Sequence, residues 1–467
     1  MTSQTSVVIL AAGLGTRMKS KRAKVLHRAG GLTLIEHVVR AAGAIAAPNH
    51  TTVVVGHQAD EVRRTLGDSG VRFVAQTEQK GTGHALLACR ESLAAEPGAA
   101  EPGLVVVLYG DCPLLSPDTL KELVRRQCSS DAGATLITTR LTDPTGYGRI
   151  IFGDKGDVQA IVEQKAATPE QLAIPYINSG IYCFRADLLW KHILEIRPDN
   201  PAHEYYLTDI VEIFGSAGHR VAVMEVDNSA ELLGINTRAE LAEVDRIFRQ
   251  RKVQELMLAG VTIEKPETVT IDHEVRIGED SIIGPFAQIL GRTEIGSDAS
   301  IGTCSIIENS TLGANVEIAP FTWVADSQVE AGAHIGPFAR LRRGNRVGPG
   351  AHIGNFVELK NTRFGAKAKA SHLAYLGDSE IGEGANIGAG TITCNYDGVE
   401  KHKTQIGKDV FVGSNSTLVA PIEIGDSSYI GAGSVITDAV PPDALALGRA
   451  RQVNKEGWAA KRKKKRK

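Results

Sequence analysis

From Ile277 to Ile436 an aliphatic residue returns at about every sixth position, most often followed by glycine. The series opens Ile277-Gly278, Ile283-Gly284, Ile295-Gly296, Ile301-Gly302 and, after a five-residue step, continues Leu312-Gly313, Ile318, Val324. After a second such step come Ile335-Gly336, Val347-Gly348 and Ile353-Gly354, and the last run reads Ile406-Gly407, Val412-Gly413, Leu418, Ile424-Gly425, Ile430-Gly431, Ile436. Half-buried strands in an ordinary sheet alternate at two, with irregular turns. A period of six held this long predicts a parallel β-helix of hexapeptides. One short strand and one corner take six residues, and three edges close a triangular coil. The aliphatic side chain points inward onto its counterpart one coil away, and the adjacent glycine lets the backbone turn without a Cβ clash. At strand spacing, roughly eight or nine coils give a prism about 40 Å long, stabilised largely by nearest-neighbour contacts.

At 467 residues the chain is too long for one core. Residues 1–237 alternate apolar runs (Val7 to Leu10, Val53 to Val55, Leu104 to Leu108, Thr135 to Thr139, Val221 to Val226) with amphipathic stretches. That pattern predicts an α/β domain with a parallel sheet and ligands at the carboxyl strand ends. Residues 238–260 read as a linker helix stopping at Gly260, and 261–467 as the β-helix with a basic tail. An interruption of the hexads over 393–405 is expected to project from the prism.

No apolar run is long enough to cross a membrane, and the N-terminus lacks the features of a secretory leader. Six cysteines without a CxxC read as reduced and mostly buried, which favours a cytoplasmic protein over a zinc or disulfide scaffold. Lys461 to Lys467 are consecutive basic residues; without them 45 basic face 54 acidic side chains. Such a run is a solvated tail or an attractor of anions; the solvated tail is favoured, since a single terminal run is weak evidence for nucleic-acid binding.

The first chemical motif is Leu10 to Met18, LAAGLGTRM, directly after the first strand. Gly13 and Gly15 allow backbone N–H groups to approach phosphate oxygens, Arg17 adds a planar cationic fork, and Lys24 follows seven residues later. Met18 breaks the dinucleotide pattern GxGxxG, and no P-loop GKS or GKT follows. The second motif is Tyr109-Gly110-Asp111 at the end of a very apolar strand. Asp111 there is a helix cap or a Mg²⁺ ligand, and its combination with GxGTR favours the metal.

With these motifs the chain resembles the sugar-nucleotide pyrophosphorylases. With the repeat it resembles the bacterial bifunctional family of N-acetylglucosamine-1-phosphate uridylyltransferase and glucosamine-1-phosphate N-acetyltransferase. The matching segments are LAAGLGTRM, QTEQKGTGHA (76–85), YGD (109–111), TGYGRI (145–150), NSG (178–180) and GIN (234–236), then GPFARLR (336–342), NFVELK (355–360), SHLAYLGD (371–378) and GAGTITCNYDG (388–398). One departure is Ala23, preceding Lys24 where the family usually has proline. The resemblance implies a left-handed β-helix, a homotrimer formed through it, and UDP-N-acetylglucosamine as a cell-wall precursor. Leu10, Ala11, Ala12, Gly13, Gln76, Gly81, Thr82, Tyr109 and Gly110 would then line the nucleotide, Asp111 and Asn236 hold Mg²⁺, and Gly148, Glu163 and Asn178 grip the sugar. UTP would be attacked by a sugar-1-phosphate oxygen, with Arg17 and Lys24 neutralising charge.

In the repeat, Leu359 falls on the inward position, so Glu358 and Lys360 face outward. His372 alone is a surface histidine; within SHLAYLGD, the resemblance makes it the base for acetyl transfer. It also implies that Arg342, Lys360, Tyr375 and Asn386 bind glucosamine-1-phosphate, and that Ala389, Asn395, Tyr396, Ser414, Ala432 and Arg449 meet acetyl-CoA. Two other readings stay open on the sequence: a pyrophosphorylase whose repeat only regulates or oligomerises, and a trimeric scaffold without catalysis.

Overall fold

The computed structural model describes residues 4–93, 103–154, 156–200 and 203–464. It divides into two compact units, Met1–Phe248 and Arg249–Lys467. The helix Arg238–Leu258 spans the division.

Among the described residues the first unit is built on a nine-stranded sheet: β1 (Thr5–Leu10), β2 (Thr51–Val55), β3 (Arg72–Ala75), β4 (Leu104–Tyr109), β5 (Ala134–Arg140), β6 (Gly148–Phe152), β7 (Val158–Val162), β8 (Tyr176–Arg185) and β9 (Val221–Glu225), in the order β9-β5-β8-β4-β1-β2-β3. The central strands are apolar on both faces because both are covered. Val7, Ile9, Val106 and Leu108 pack on one side with Ile35, Val38, Leu120 and Leu123. Val8, Leu10, Val105 and Val107 pack on the other with Leu86, Leu189 and Phe214. Helix α1 (Leu34–Ala42) starts at a capping box between Thr33 and Glu36, and Ser116 caps Pro117–Cys128.

The sheet is mixed, where the apolar runs suggested a parallel one. β1 is parallel to β2 and β4, but β8 runs antiparallel to β4, β5 and β6. A run of buried residues does not encode strand direction. The reversal matters: the start of β8 pairs with the end of β5, Tyr176 with Arg140 and Asn178 with Thr138. Its polar residues therefore lie at the carboxyl edge of the sheet.

The second unit is a parallel β-helix whose three faces hold eleven, ten and nine strands among the described residues. That exceeds the eight or nine coils expected. Thr262–Ile263 and Thr270–Ile271 already stack in register on Ile282–Ile283 and Gln288–Leu290, and Leu445–Ala446 closes the last coil on Tyr429–Ile430. Inward residues form ladders, as in Ile289, Ile307, Val324, Leu341, Leu359 and Leu376, all buried. The glycines act differently from expectation. Gly296 has no positive φ; a Cβ on it would lie 2.6 Å from the backbone nitrogen of Ala314 in the next coil. The methyl group is excluded by coil-to-coil approach, and the left-handed corner conformations fall largely on other residues, such as Phe321 and Asn315.

The interruption is shorter than 393–405. Ile392–Cys394 pairs with Thr417–Val419, and Thr404–Ile406 with Ser379–Ile381. The segment between them is pinned by a bridge from Tyr396 to Lys401, with residues 396–401 exposed. Trp458–Lys464, which leads into the basic run, is helical, residues 458–463 are exposed and Arg462 lies over the Trp458 ring at 5.1 Å. Residues 465–467 of that run lie outside the described residues. Cys89, Cys112 and Cys183 are buried, whereas Cys128 is exposed. Among the described residues no helix is long and apolar enough to cross a membrane.

Leu359→Ala removes a rung of a packed ladder and should lower the unfolding free energy of the repeat unit by about 2–5 kcal/mol in denaturant titration; a loss under about 1 kcal/mol would contradict close stacking. In the first unit, burial, then Glu212 and Glu163, push the Asp209 carboxyl up to about 6. A carboxyl that holds its proton more tightly when folded loses stability as pH rises from its unfolded value towards that figure. Asp209→Asn should therefore raise Tm at pH 7.5 and give little gain at pH 4; an equal shift at both pH values would refute this assignment.

Candidate active sites

The glycine-rich turn leaves β1 and brings its cations back to the strand end. Gly15 adopts φ +61°, and a Cβ there would come within 2.7 Å of the Lys24 Cβ, so a bulkier residue is excluded by the lysine itself. Gly13 has no atom within 4 Å of a Cβ position and faces open space. The Lys24 ammonium pairs with the Asp111 carboxylate and lies 3.2 Å from Asn236 Oδ1. Arg17 donates to the same Asn236 oxygen at 2.8 Å. Residues from three distant parts of the chain thus meet in one cluster. Asn236 is held by its own N–H donating to Glu240 at 2.6 Å. The Ala23 position is also accounted for: its N–H, which proline lacks, donates to Gln58 Oε1.

Two further groups flank this cluster. Gly148 and Asn178 are registered neighbours on β6 and β8, and a Cβ on Gly148 would stand 3.6 Å from both the Asn178 Cβ and a Glu163 oxygen. These three expected sugar-binding residues are together. Burial raises the Glu163 carboxyl above its usual range, partly offset by the Thr208 hydroxyl. Asn178 Oδ1 accepts from Tyr182 and from the Gly180 N–H at 3.0 and 3.1 Å. Tyr109 packs its ring where a Gly180 side chain would be and is linked to Thr82; burial pushes its phenol up. On the other side, Leu14, Val55, Gly56, His57, Gln76 and Gln79 line a cavity of about 470 Å³. Gln76 donates to the Gly81 carbonyl at 3.1 Å and lies 3.2 Å from His84 Nδ1. Gln79 donates to Ala12 at 2.8 Å. Leu10, Ala11 and Ala12 are buried beneath the turn, and the Gly110 N–H donates to the Leu10 carbonyl at 3.0 Å.

On the β-helix His372 is exposed and registers beside Asn355 of the preceding coil, with Nδ1 2.6 Å from Asn355 Oδ1. Around the next corner Glu358 and Tyr375 are rung partners, and Arg342 contacts Glu358 at 3.2 Å. Lys360 lies 3.1 Å from Asp378, which also receives Asn361 at 2.8 Å and the Asn395 amide. Burial alone would raise the Asp378 carboxyl, but these hydrogen bonds outweigh it and hold it below the usual range. Asn386 stands on the His372 face, registered with Lys369 and Phe411. Ala389, Ser414 and Ala432 occupy corners of successive coils: Asn415 N–H donates to Ala389 at 2.7 Å and Gly433 N–H to Ser414 at 2.8 Å. They lie further along the stack, and Arg449 sits in the exposed segment after the last strand. Tyr396 is exposed on the excursion, its hydroxyl on the Gly398 carbonyl at 2.6 Å. Asp378, Asn355 and Gln58 have no role assigned from the sequence. The first two lie inside motifs already noted; Gln58 carries no sequence signal of its own.

Comparison with known proteins agrees with this organisation. The chain matches the MobA-like NTP transferase domain over residues 7–202 and the bacterial transferase hexapeptide (six repeats) over 274–309 and 403–438. It is 59% identical to the bifunctional protein GlmU of Solibacter usitatus over 99% of this chain and 98% of the relative. It is 51% identical to that of Koribacter versatilis over 98% and 97%, and 48% to that of Anaeromyxobacter sp. over 98% and 93%. The repeat unit is a left-handed parallel β-helix. With both domains present and the likeness running the full length of the chain, this protein belongs to the bifunctional GlmU family.

Proposed function

We propose a residue-level division of labour for the two reactions by which this chain makes UDP-N-acetylglucosamine: acetyl transfer from acetyl-CoA to glucosamine-1-phosphate, then uridylyl transfer from UTP to the product. Uridylyl transfer belongs to residues 1–237, joined by the helical stretch 238–260 to the acetyltransferase domain 261–467. The observation that carries the reading is the meeting of Arg17, Lys24, Asp111 and Asn236 at the end of β4.

In uridylyl transfer a phosphate oxygen of N-acetylglucosamine-1-phosphate attacks the α-phosphorus of UTP, and the bond to pyrophosphate breaks. The nucleophile is already an anion, so positioning and charge neutralisation suffice. Nucleotidyl transfer of this family uses a divalent metal, and we assign it as Mg²⁺ held by Asp111 and Asn236. The fit rests on their oxygens, both of which approach one cation, the Lys24 ammonium; hard oxygens supplied sparingly by the protein suit Mg²⁺ among phosphates. When bound, the ion neutralises phosphate charge. Arg17 and Lys24 meet the remaining anionic oxygens. Leu10, Ala11, Ala12 and Gly13 back the nucleotide, and the Gln76 amide, beside Gly81 and Thr82, reads the uracil edge. Tyr109 and Gly110 lead to Asp111, and Gly148, Glu163 and Asn178 hold the sugar.

In acetyl transfer the amine of glucosamine-1-phosphate attacks the thioester carbon, the C–S bond breaks, and the amine proton passes through His372 to the leaving sulfur. The amide oxygen of Asn355 accepts from Nδ1–H of His372. That contact fixes the tautomer and leaves Nε2 with the lone pair a general base needs. Arg342 and Lys360 bind the phosphate, Tyr375 and Asn386 the sugar, and Ala389, Asn395, Tyr396, Ser414, Ala432 and Arg449 contact acetyl-CoA. A homotrimer formed through the β-helix, in the cytoplasm, completes the reading. The repeat fold supports the trimer, and the free cysteines, three of them buried, suit a reducing compartment.

Reciprocal variants test it. Asp111→Ala should reduce uridylyl transfer about a hundredfold or more while sparing acetyl transfer, and chelation of divalent metal should do the same. His372→Ala should reduce acetyl transfer about 10²–10⁴-fold and spare uridylyl transfer. The assay supplies both substrate sets and follows thiol and pyrophosphate together; equal loss of both products in either variant would defeat the assignment of independent sites.

A further inference from the structure

The side chain that grips the backbone just before Lys24 comes from another loop. Gln58 follows β2 and is the N-cap of the helix Ala59–Thr65, with φ +55° and ψ +38°. Its carbonyl accepts from Glu61 and Val62 N–H at 3.1 and 3.3 Å, so its backbone is held by the helix start. From there the side-chain amide reaches across to the segment before Lys24 and uses both ends. Oε1 accepts from the Ala23 N–H, and Nε2 donates to the Lys21 carbonyl at 2.7 Å. Ala23 is buried and is the N-cap of the 3₁₀ turn Lys24–Leu26, with φ −54°. The Ala23 N–H points out of that turn and needs an acceptor from elsewhere. Two residues before Gln58, Gly56 abuts Ala12; a Cβ there would lie 2.8 Å from the Ala12 carbonyl. The short segment after β2 therefore braces the nucleotide turn at its start and the lysine-bearing turn at its end.

We infer that Gln58 is a positioning residue for uridylyl transfer, whose amide holds the 21–23 backbone so that Lys24 projects into the cluster with Asp111 and Asn236. It touches no reacting group; it acts through Lys24, and the inference rests on the role given above to that lysine. The bond pattern also says how the device can be replaced. Ala23 already has a φ within the range proline imposes, and proline has no N–H to satisfy. Stiffness supplied covalently at position 23 should therefore substitute for the missing amide.

The test measures steady-state uridylyl transfer, with acetyl transfer of the same preparations as an internal standard for folding. Gln58→Ala should lower kcat for uridylyl transfer by about ten- to a hundredfold, the range for a misplaced catalytic group, with the KM for UTP within about threefold and acetyl transfer unchanged. Gln58→Glu keeps the acceptor for Ala23 but sets a second oxygen against the Lys21 carbonyl, and should give a kcat between those of Gln58→Ala and wild type. The double variant Gln58→Ala with Ala23→Pro should recover at least half of the logarithmic loss. If Gln58→Ala fails to fold, the isosteric Gln58→Met takes its place with the same expectation. Wild-type kcat in Gln58→Ala, or a loss that proline at 23 does not repair, overturns the inference. Lys24→Ala is run alongside: inactive Lys24→Ala with active Gln58→Ala overturns this inference alone, and active Lys24→Ala overturns the role of the lysine as well.

Discussion

At many corners of the repeat unit successive coils touch through their backbones, with no room for a methyl group between them. Gly278, Gly296 and Gly313 each carry a hydrogen where a Cβ would stand 2.5–2.7 Å from a main-chain nitrogen of the next coil. Main-chain hydrogen bonds between coils set the spacing, the glycines permit it, and outward side chains thereby meet predictable neighbours on the adjacent rung. His372 has Asn355 at hydrogen-bond distance because the two residues are rung partners. Lys360, Asp378 and Asn395 are likewise gathered from successive coils. A structural repeat with an inert interior thus supplies a ruled surface on which polar groups are placed at rung intervals.

The nucleotide-binding unit solves a different problem, which is to gather cations and carboxylates from distant parts of the chain. It does so at the carboxyl edge of a sheet, where turns are free to vary while the strands beneath stay packed on both faces. The antiparallel β8 contributes because its first residues reach the edge at which its neighbours end. Asn178 thereby joins Gly148 and Glu163, and Tyr109 packs against Gly180.

Much of this is legible in the residues. The hexad period implies the β-helix, and the inward position of Leu359 places Glu358 and Lys360 outside. Arg17, Lys24 and Asp111 can be nominated from residue type and strand-end location. Asn236 and the residues proposed for the sugar need the family resemblance, because nothing local singles out an asparagine. Features whose determinants are not local leave no such mark in the residues. The first coils escape the count because Ile263 and Ile271 are followed by Glu264 and Asp272 rather than glycine. The direction of β8 is invisible in its composition. Asn355, Asp378 and Gln58 hold other side chains or backbone in place, and such roles emerge only once register and three-dimensional neighbours are known.

The excursion between Cys394 and Thr404 shows how such a scaffold tolerates change. Ile387 and Val412 are rung partners although twenty-five positions separate them, whereas seventeen separate the rung partners Ile353 and Ala370 on the same face. Chain is spliced in at a corner, and the ladder resumes without a slip. New surface chemistry can therefore be grown laterally at any corner, one insertion at a time, while the rungs above and below keep their alignment.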